Sequence, residues 1–203
     1  MRKEYTMRLQ LLLVIPIILL VAVACSSPRP ARVVDETKVA EIGESAAMTL
    51  IQGLIGRLTA AMDQGTVAAF EFCALEAQSL TATIEQELDT GLRVKRTSFQ
   101  YRNPANAPDE YETAALQYFQ DALAERGSLP TSYIQMVNAN EYRYYKPLVM
   151  AAMCLNCHGD PASFDPALQQ QLQATYPEDK AVGYKEGDFR GVVRVSIPAS
   201  LVR

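Results

Sequence analysis

The stretch TSYIQMVNANEYRYYKPLV, residues 131–149, decides the fold class. Two tyrosine-rich, β-favouring runs, 131–137 and 141–149, flank Asn138-Ala139-Asn140, whose short polar side chains suit a tight reversal, so the stretch reads as an antiparallel hairpin. Near the C-terminus Val193, Val195 and Ile197 alternate on one face and predict a further strand. Upstream, Leu92 to Tyr101 also reads as strand. Leu92 and Val94 keep one phase of the alternation, while Thr97, Phe99 and Tyr101 keep the other, which predicts a bulge between them.

The remaining segments carry helical spacing. Val39, Ile42, Ala46, Leu50, Leu54 and Leu58 mark a long amphipathic helix over residues 35–62, weakened but not ended by Gly53 and Gly56. After the turn Asp63-Gln64-Gly65, Thr66 can cap a second helix with the stripe Val67, Phe70, Cys73, Ala77, Leu80, Ile84 and Leu88, closed by Gly91. Cys73 therefore faces inward. A loop at residues 103–108 leads into a third helix, begun by Pro108, Asp109 and Glu110 and ended at Gly127. Asp165-Pro166 opens a short helix with Leu168 and Leu172 on one side, which Pro177 stops. The class is α+β: an antiparallel sheet, a long N-terminal helical pair packed on it, and helical insertions.

The chain has 203 residues, a formal charge of −4 and a pI near 5.1. Without a Lys/Arg cluster it offers no surface to neutralise nucleic-acid phosphates. Arg2, Lys3 and Arg8 precede an apolar run from Leu11 to Val23, and Ala22-Val23-Ala24 supplies small residues before Cys25, the pattern of an export signal. The expected organisation is a signal peptide at 1–24, a Ser/Pro-rich tether at 25–37 and one domain at 38–203. The Ala-Cys junction resembles a bacterial lipobox, which would put a lipid on Cys25 and the domain on the periplasmic face of a membrane. Ordinary secretion and an uncleaved anchor are the other readings. Cleavage would remove a net +2 and leave the domain more acidic still.

Four cysteines and a single histidine make a closed inventory. Cys154-Leu155-Asn156-Cys157-His158 has the spacing at which two thiols add across the vinyl groups of one haem while the adjacent imidazole reaches the iron. Three other uses of these residues are a thioredoxin-type pair, a zinc site from Cys73, Cys154, Cys157 and His158, and a plain disulfide. The parallel-sheet pattern of the first is missing, and adjacent Cys and His ligands close a tetrahedron awkwardly. With one histidine, two imidazole ligands from one chain are excluded. The position opposite His158 is left to Met48, Met62, Met136, Cys73, another weak ligand or none. Cys73 by itself fits core packing as well as ligation.

Read in order, Glu71-Phe72-Cys73, Arg96-Thr97-Ser98, Arg102-Asn103-Pro104-Ala105-Asn106, Cys154 to Gly159 and Tyr176-Pro177-Glu178-Asp179 resemble a known family. It is the bacterial and cyanobacterial mono-haem c domain of unknown function, with a PAS-like fold, also found as a sensing region of some histidine kinases. Gly183-Tyr184, Gly187-Asp188 and Arg190-Gly191 continue the match, which spans roughly residues 38–199. The resemblance implies that Cys73 supplies a thiolate opposite His158, lowering the reduction potential of the haem. It also implies that the strand with Arg96 and the loop from Arg102 and Asn103 to Asn106 lie near the haem, where Arg96 and Arg102 could donate to the propionates. The bland alternative is a solvated strand face and ordinary turn chemistry.

Two functions are expected from this reading: low-potential electron transfer, or redox sensing through the Cys/His-ligated haem. A gas sensor working by displacement of Cys73 is the alternative, and in each case the signal or electron passes to a separate partner protein. An enzyme is less favoured, because a peroxidase-type site commonly needs a second histidine as distal acid/base.

Overall fold

The computed structural model describes residues 35–88 and 91–203. The expected signal peptide, Cys25 and the tether up to residue 34 lie outside the described residues. Helix α1 (Glu36–Met62) is capped by Asp35, whose carboxylate accepts from the Lys38 amide. Helices α2 (Thr66–Glu71) and α3 (Ala77–Glu87) are joined without a break in direction by a π-helical turn, Phe72–Glu76. The second helix of the sequence reading is thus one helix with an inserted residue. Thr66 is its first helical residue and makes no capping bond; Gly65, at φ +107°, stands before it.

Strands β1 (Arg93–Thr97), β2 (Tyr133–Asn138), β3 (Glu141–Val149) and β4 (Phe189–Pro198) form one antiparallel sheet in the order β1-β4-β3-β2. The hairpin is β2–β3, as its sequence predicts. Strand β1 is shorter than predicted, and the expected bulge is absent: Arg93 to Thr97 pair with Ser196 to Val192 in unbroken register. The change of phase has another cause. Both faces of the sheet are covered, so Val94 is buried on one face and Thr97 on the other. Irregularities fall instead at Met136/Asn138 and at Leu148/Val149.

One face carries Val193, Val195, Ile197, Tyr142 and Tyr144 and packs under α1 and α3 through Val39, Ala46, Ala47, Leu50 and Ile84. The other face carries Val192 and Tyr145 and is covered by helix α4 (Glu110–Arg126) through Ala115, Leu116 and Phe119. Helix α4 begins with a reciprocal capping box, Asp109 with Glu112, and ends at Gly127 in the left-handed conformation. Glu112 is fully buried but satisfied: Lys95 Nζ and Arg194 Nε donate to its two oxygens at 2.6 and 3.1 Å. Lys95 also donates to the Ala107 carbonyl, so this ion cluster ties the 103–108 loop to the sheet.

Between β3 and β4 the chain makes one excursion, residues 150–188, containing helices α5 (Leu155–His158) and α6 (Pro166–Thr175). Its base is clasped by Met150 N–H donating to Asp188 O and Gly187 N–H donating to Met150 O, both at 2.9 Å. Phe70 of α2 meets Phe164, Leu168 and Leu172 in a small core that anchors the excursion to the helices.

Helix α1 lies against the sheet at Gly43, where a Cβ would come within 2.2 Å of the Tyr144 ring. Beside it Glu44 accepts from the Tyr144 hydroxyl and from Lys146 Nζ. Alanine is the better helix former, so Gly56→Ala, with nothing within 4 Å of the new methyl, should stabilise by up to about 1 kcal/mol. Gly43→Ala should instead destabilise by about 1–3 kcal/mol through overpacking. Urea denaturation of the two variants checks this, and the same sign for both would contradict the close contact.

Candidate functional site

The first turn of the excursion, Ala152–Cys154 and then α5, brings Cys154 and His158 to one wall of a cavity of about 270 Å³. Cys73 lines the same cavity, presented by the π turn, which rotates the helix face at that residue. Ile51, Leu54 and Leu58 of α1, Phe70, and Leu148 of β3 supply apolar lining. Ile55 and Val149, also on the lining, are about half exposed at 51% and 53%, so the cavity opens to solvent between α1 and the end of β3. Cys154, Cys157 and Cys73 are free thiols. Among the described residues no group of three or more His, Cys, Asp or Glu side chains converges to hold a metal ion, so the zinc arrangement finds no geometric support. Cys157 does not line the cavity; its side chain packs beside Phe70, Phe164, Leu168 and Leu172.

The imidazole of His158 is fixed by its back side. Its Nδ1 lies 2.6 Å from the Ala181 carbonyl oxygen. A carbonyl only accepts, so Nδ1 carries the proton and Nε2 keeps its lone pair, the arrangement usual for a metal-binding histidine. Burial, with the charges of Arg102 and Arg190 adding to it, pushes the imidazole down to about 3, so the ring is neutral at ordinary pH. Burial raises the Cys73 thiol, while the nearby Arg96 and Arg102 charges oppose that effect. The Cys157 thiol is likewise raised by burial.

The segment that carries Ala181 is strapped to the turn it supports. Gly183 N–H donates to Gly159 O at 2.8 Å and Tyr184 N–H to His158 O at 3.0 Å. Arg102 locks the two together: its Nε donates to Asp179 Oδ2 at 2.9 Å, and its Nη2 to Cys157 O at 2.6 Å and Ala181 O at 3.2 Å. Asp179 Oδ1 in turn accepts from the Ala181 amide at 2.8 Å. With side chains 9% and 12% exposed, Arg102 and Asp179 form a buried ion pair.

Of the residues singled out from the sequence, Cys73, Arg96, Arg102, Asn103, Cys154 and His158 border the cavity, whereas Cys157 and the candidate ligands Met48, Met62 and Met136 do not; those that border it differ in what they have left to offer. Arg102 has spent Nε and Nη2 on the strap. Asn103 caps the turn Pro104–Asn106, its Oδ1 accepting from Ala105 N–H. Arg96, on the helix-facing side of β1, has a buried Nε with no hydrogen-bond partner. Arg190 also lines the cavity and was given no role by the sequence reading. It stands before Gly191, whose φ of +144° and close approach to Thr97 O, 2.4 Å from a built Cβ, exclude a side chain there. Arg190-Gly191 was visible as a motif; only the packing shows that the arginine enters the site.

Residues 21–198 match the Tll0287-like family. The fold is similar to the crystal structure of the cyanobacterial haem-protein Tll0287, with a TM-score of 0.60 and 24% identity, over 81% of this chain and 96% of that one. No curated protein sequence matches the chain.

The ion pair gives the strap its rigidity. Asp179→Asn keeps the acceptor for the Ala181 amide but leaves the Arg102 guanidinium buried without a counter-charge, at a cost of about 3 kcal/mol. The thermal midpoint should fall by roughly 6–12 °C, with faster hydrogen exchange at the Gly183 and Tyr184 amides. A wild-type midpoint and unchanged exchange would show that the pair does not hold the strap.

Proposed function

Since the chain belongs to the Tll0287-like family, we propose that it is an exported mono-haem c-type cytochrome, working in low-potential electron transfer or redox sensing through a Cys/His-ligated haem. Cys154 and Cys157 would attach the haem, and His158 and Cys73 would hold its iron. The observation that carries the reading is His158 itself: a neutral ring, its Nδ1 pinned to the Ala181 carbonyl, on a cavity that Cys73 and Cys154 also line.

The cavity lining fits such a group, while Cys157, packed beside Phe70, Phe164, Leu168 and Leu172, would have to turn toward the cavity on attachment. The apolar side chains from α1, α2 and β3 suit the faces of a macrocycle, and the orphaned Nε of Arg96 suits an anionic edge. When bound, the haem supplies a one-electron couple. The protein's part is orientation and electrostatics. The Ala181 carbonyl holds the imidazole plane, the Arg102–Asp179 pair holds Ala181, and the charges of Arg96 and Arg102 oppose part of the rise that burial imposes on the Cys73 thiol. A thiolate at Cys73 would donate electron density to the iron and lower its potential.

One feature favours a second reading, small-ligand sensing by displacement of Cys73. Cys73 sits in a π turn, a local departure from the regular helix of a kind found frequently at functional sites. In either case the partner is a separate redox or signalling protein. The leader and Cys25 support export and a lipid anchor on the periplasmic face, and among the described residues no helix is long and apolar enough to cross a membrane.

Acidified acetone should fail to extract the pigment from wild type, and pyridine treatment should give a c-type haemochrome spectrum; an extractable pigment contradicts covalent attachment. Cys73→Ala should alter the ferric spectrum and raise the midpoint potential, and an unchanged spectrum rules out the thiolate. Exposure to carbon monoxide or nitric oxide separates the functions: an inert haem favours the carrier, ready ligand exchange the sensor.

A further inference from the structure

Three arginines border the cavity, and only one of them has a carboxylate. Arg102 is paired with Asp179, whereas among the described residues neither Arg96 nor Arg190 forms a salt bridge. We propose that Arg96 and Arg190, one from β1 and one from β4, form the subsite that holds the two propionate carboxylates of the haem, and that Arg102 serves instead as a positioning residue for His158. The proposal rests on the haem reading above and departs from the expectation that Arg102 is a propionate donor.

Arg96 and Arg190 both hold unspent donors. Arg96 Nε is buried and bonded to nothing, a loss of about 1–3 kcal/mol for a polar group and more for a charged one, unless a partner arrives. Arg190 uses Nη1 on two neutral acceptors, Gln100 O at 3.0 Å and Tyr184 Oη at 3.5 Å, and its guanidinium carbon stands 5.3 Å from the centre of the Tyr184 ring. These contacts orient it and leave its charge uncompensated. Burial lowers both guanidinium groups, and the charge of Arg190 depresses Arg96 further. Two like charges held on one cavity repel each other, an anion between or beside them offsets that repulsion, and a guanidinium matches a carboxylate through two parallel N–H donors. A haem has two such carboxylates on one edge, which is the number of free arginines.

The test uses the full-length, haem-loaded protein and reads the propionate bending modes by resonance Raman spectroscopy, together with the midpoint potential. Arg96→Gln and Arg190→Gln should each shift a propionate mode to lower frequency and lower the potential, because a cation near the iron is lost. Arg102→Gln should leave those modes in place and change the axial-histidine signature. Unmoved propionate modes in both glutamine variants overturn the assignment, as does an equal shift in Arg102→Gln. Should the glutamine variants fail to fold, Arg96→Lys and Arg190→Lys retain the charge but lose the two-pronged geometry: a shifted mode with a near wild-type potential is expected, and wild-type modes overturn the proposal. A wild type without a c-type haemochrome spectrum removes the haem reading and this subsite with it. Attached haem with unmoved modes removes the subsite alone.

Discussion

The carbonyl oxygen of Ala181 accepts from two donors at once, His158 Nδ1 and Arg102 Nη2, and the geometry of the site depends on this shared acceptor. A histidine on a single-turn helix would otherwise be free to rotate about two side-chain torsions. Here the ring is fixed by backbone, the backbone by Arg102, and Arg102 by a buried carboxylate. Because Arg102 also reaches Cys157 O, the same guanidinium holds the thiol-bearing turn and the segment that orients the imidazole. Two stretches distant in sequence therefore behave as one rigid piece.

That rigidity has an electrostatic consequence. The chain is acidic as a whole, yet its cavity collects three guanidinium groups and a single carboxylate partner. Burial keeps His158 neutral, with the charges of Arg102 and Arg190 adding to it, and the charges of Arg96 and Arg102 offset part of the burial penalty on a Cys73 thiolate. One arrangement thus works in two directions: it disfavours a protonated imidazole at His158 and works toward an ionised thiol at Cys73.

Much of this was legible in the sequence, and each exception has its own physical cause. Helix α1, helix α4 with its Asp109 cap and Gly127 stop, and the β2–β3 hairpin follow from contiguous patterns, as does the pairing of Cys154 and Cys157 with His158 in one turn. The π turn did not show, because the spacing from Phe70 to Cys73 to Ala77 is equally compatible with an unbroken helix. Strand β1 was misread for a different reason: a phase change signals a bulge only when one face is exposed, and here α4 covers the second face. Nor could the sequence separate Arg102 from Arg190. Each is an arginine near turn residues, and what distinguishes them is a partner, Asp179, that only tertiary packing supplies.

The clasp between Met150 and the Gly187–Asp188 pair has an implication for how such a domain can change. Strands β3 and β4 are hydrogen-bonded neighbours, so everything from the Cys154–His158 turn to the strap hangs from one closed neck on the sheet. The entropy of closing a loop grows only slowly with its length. Residues could be added or lost within the excursion, away from the Arg102 contacts, at little cost to the register of the sheet beneath. The cofactor chemistry and the scaffold are therefore separable in evolution and in protein engineering. One should be able to lengthen the outer part of the excursion, around α6, to reach a different partner while the sheet and its two covering layers stay as they are.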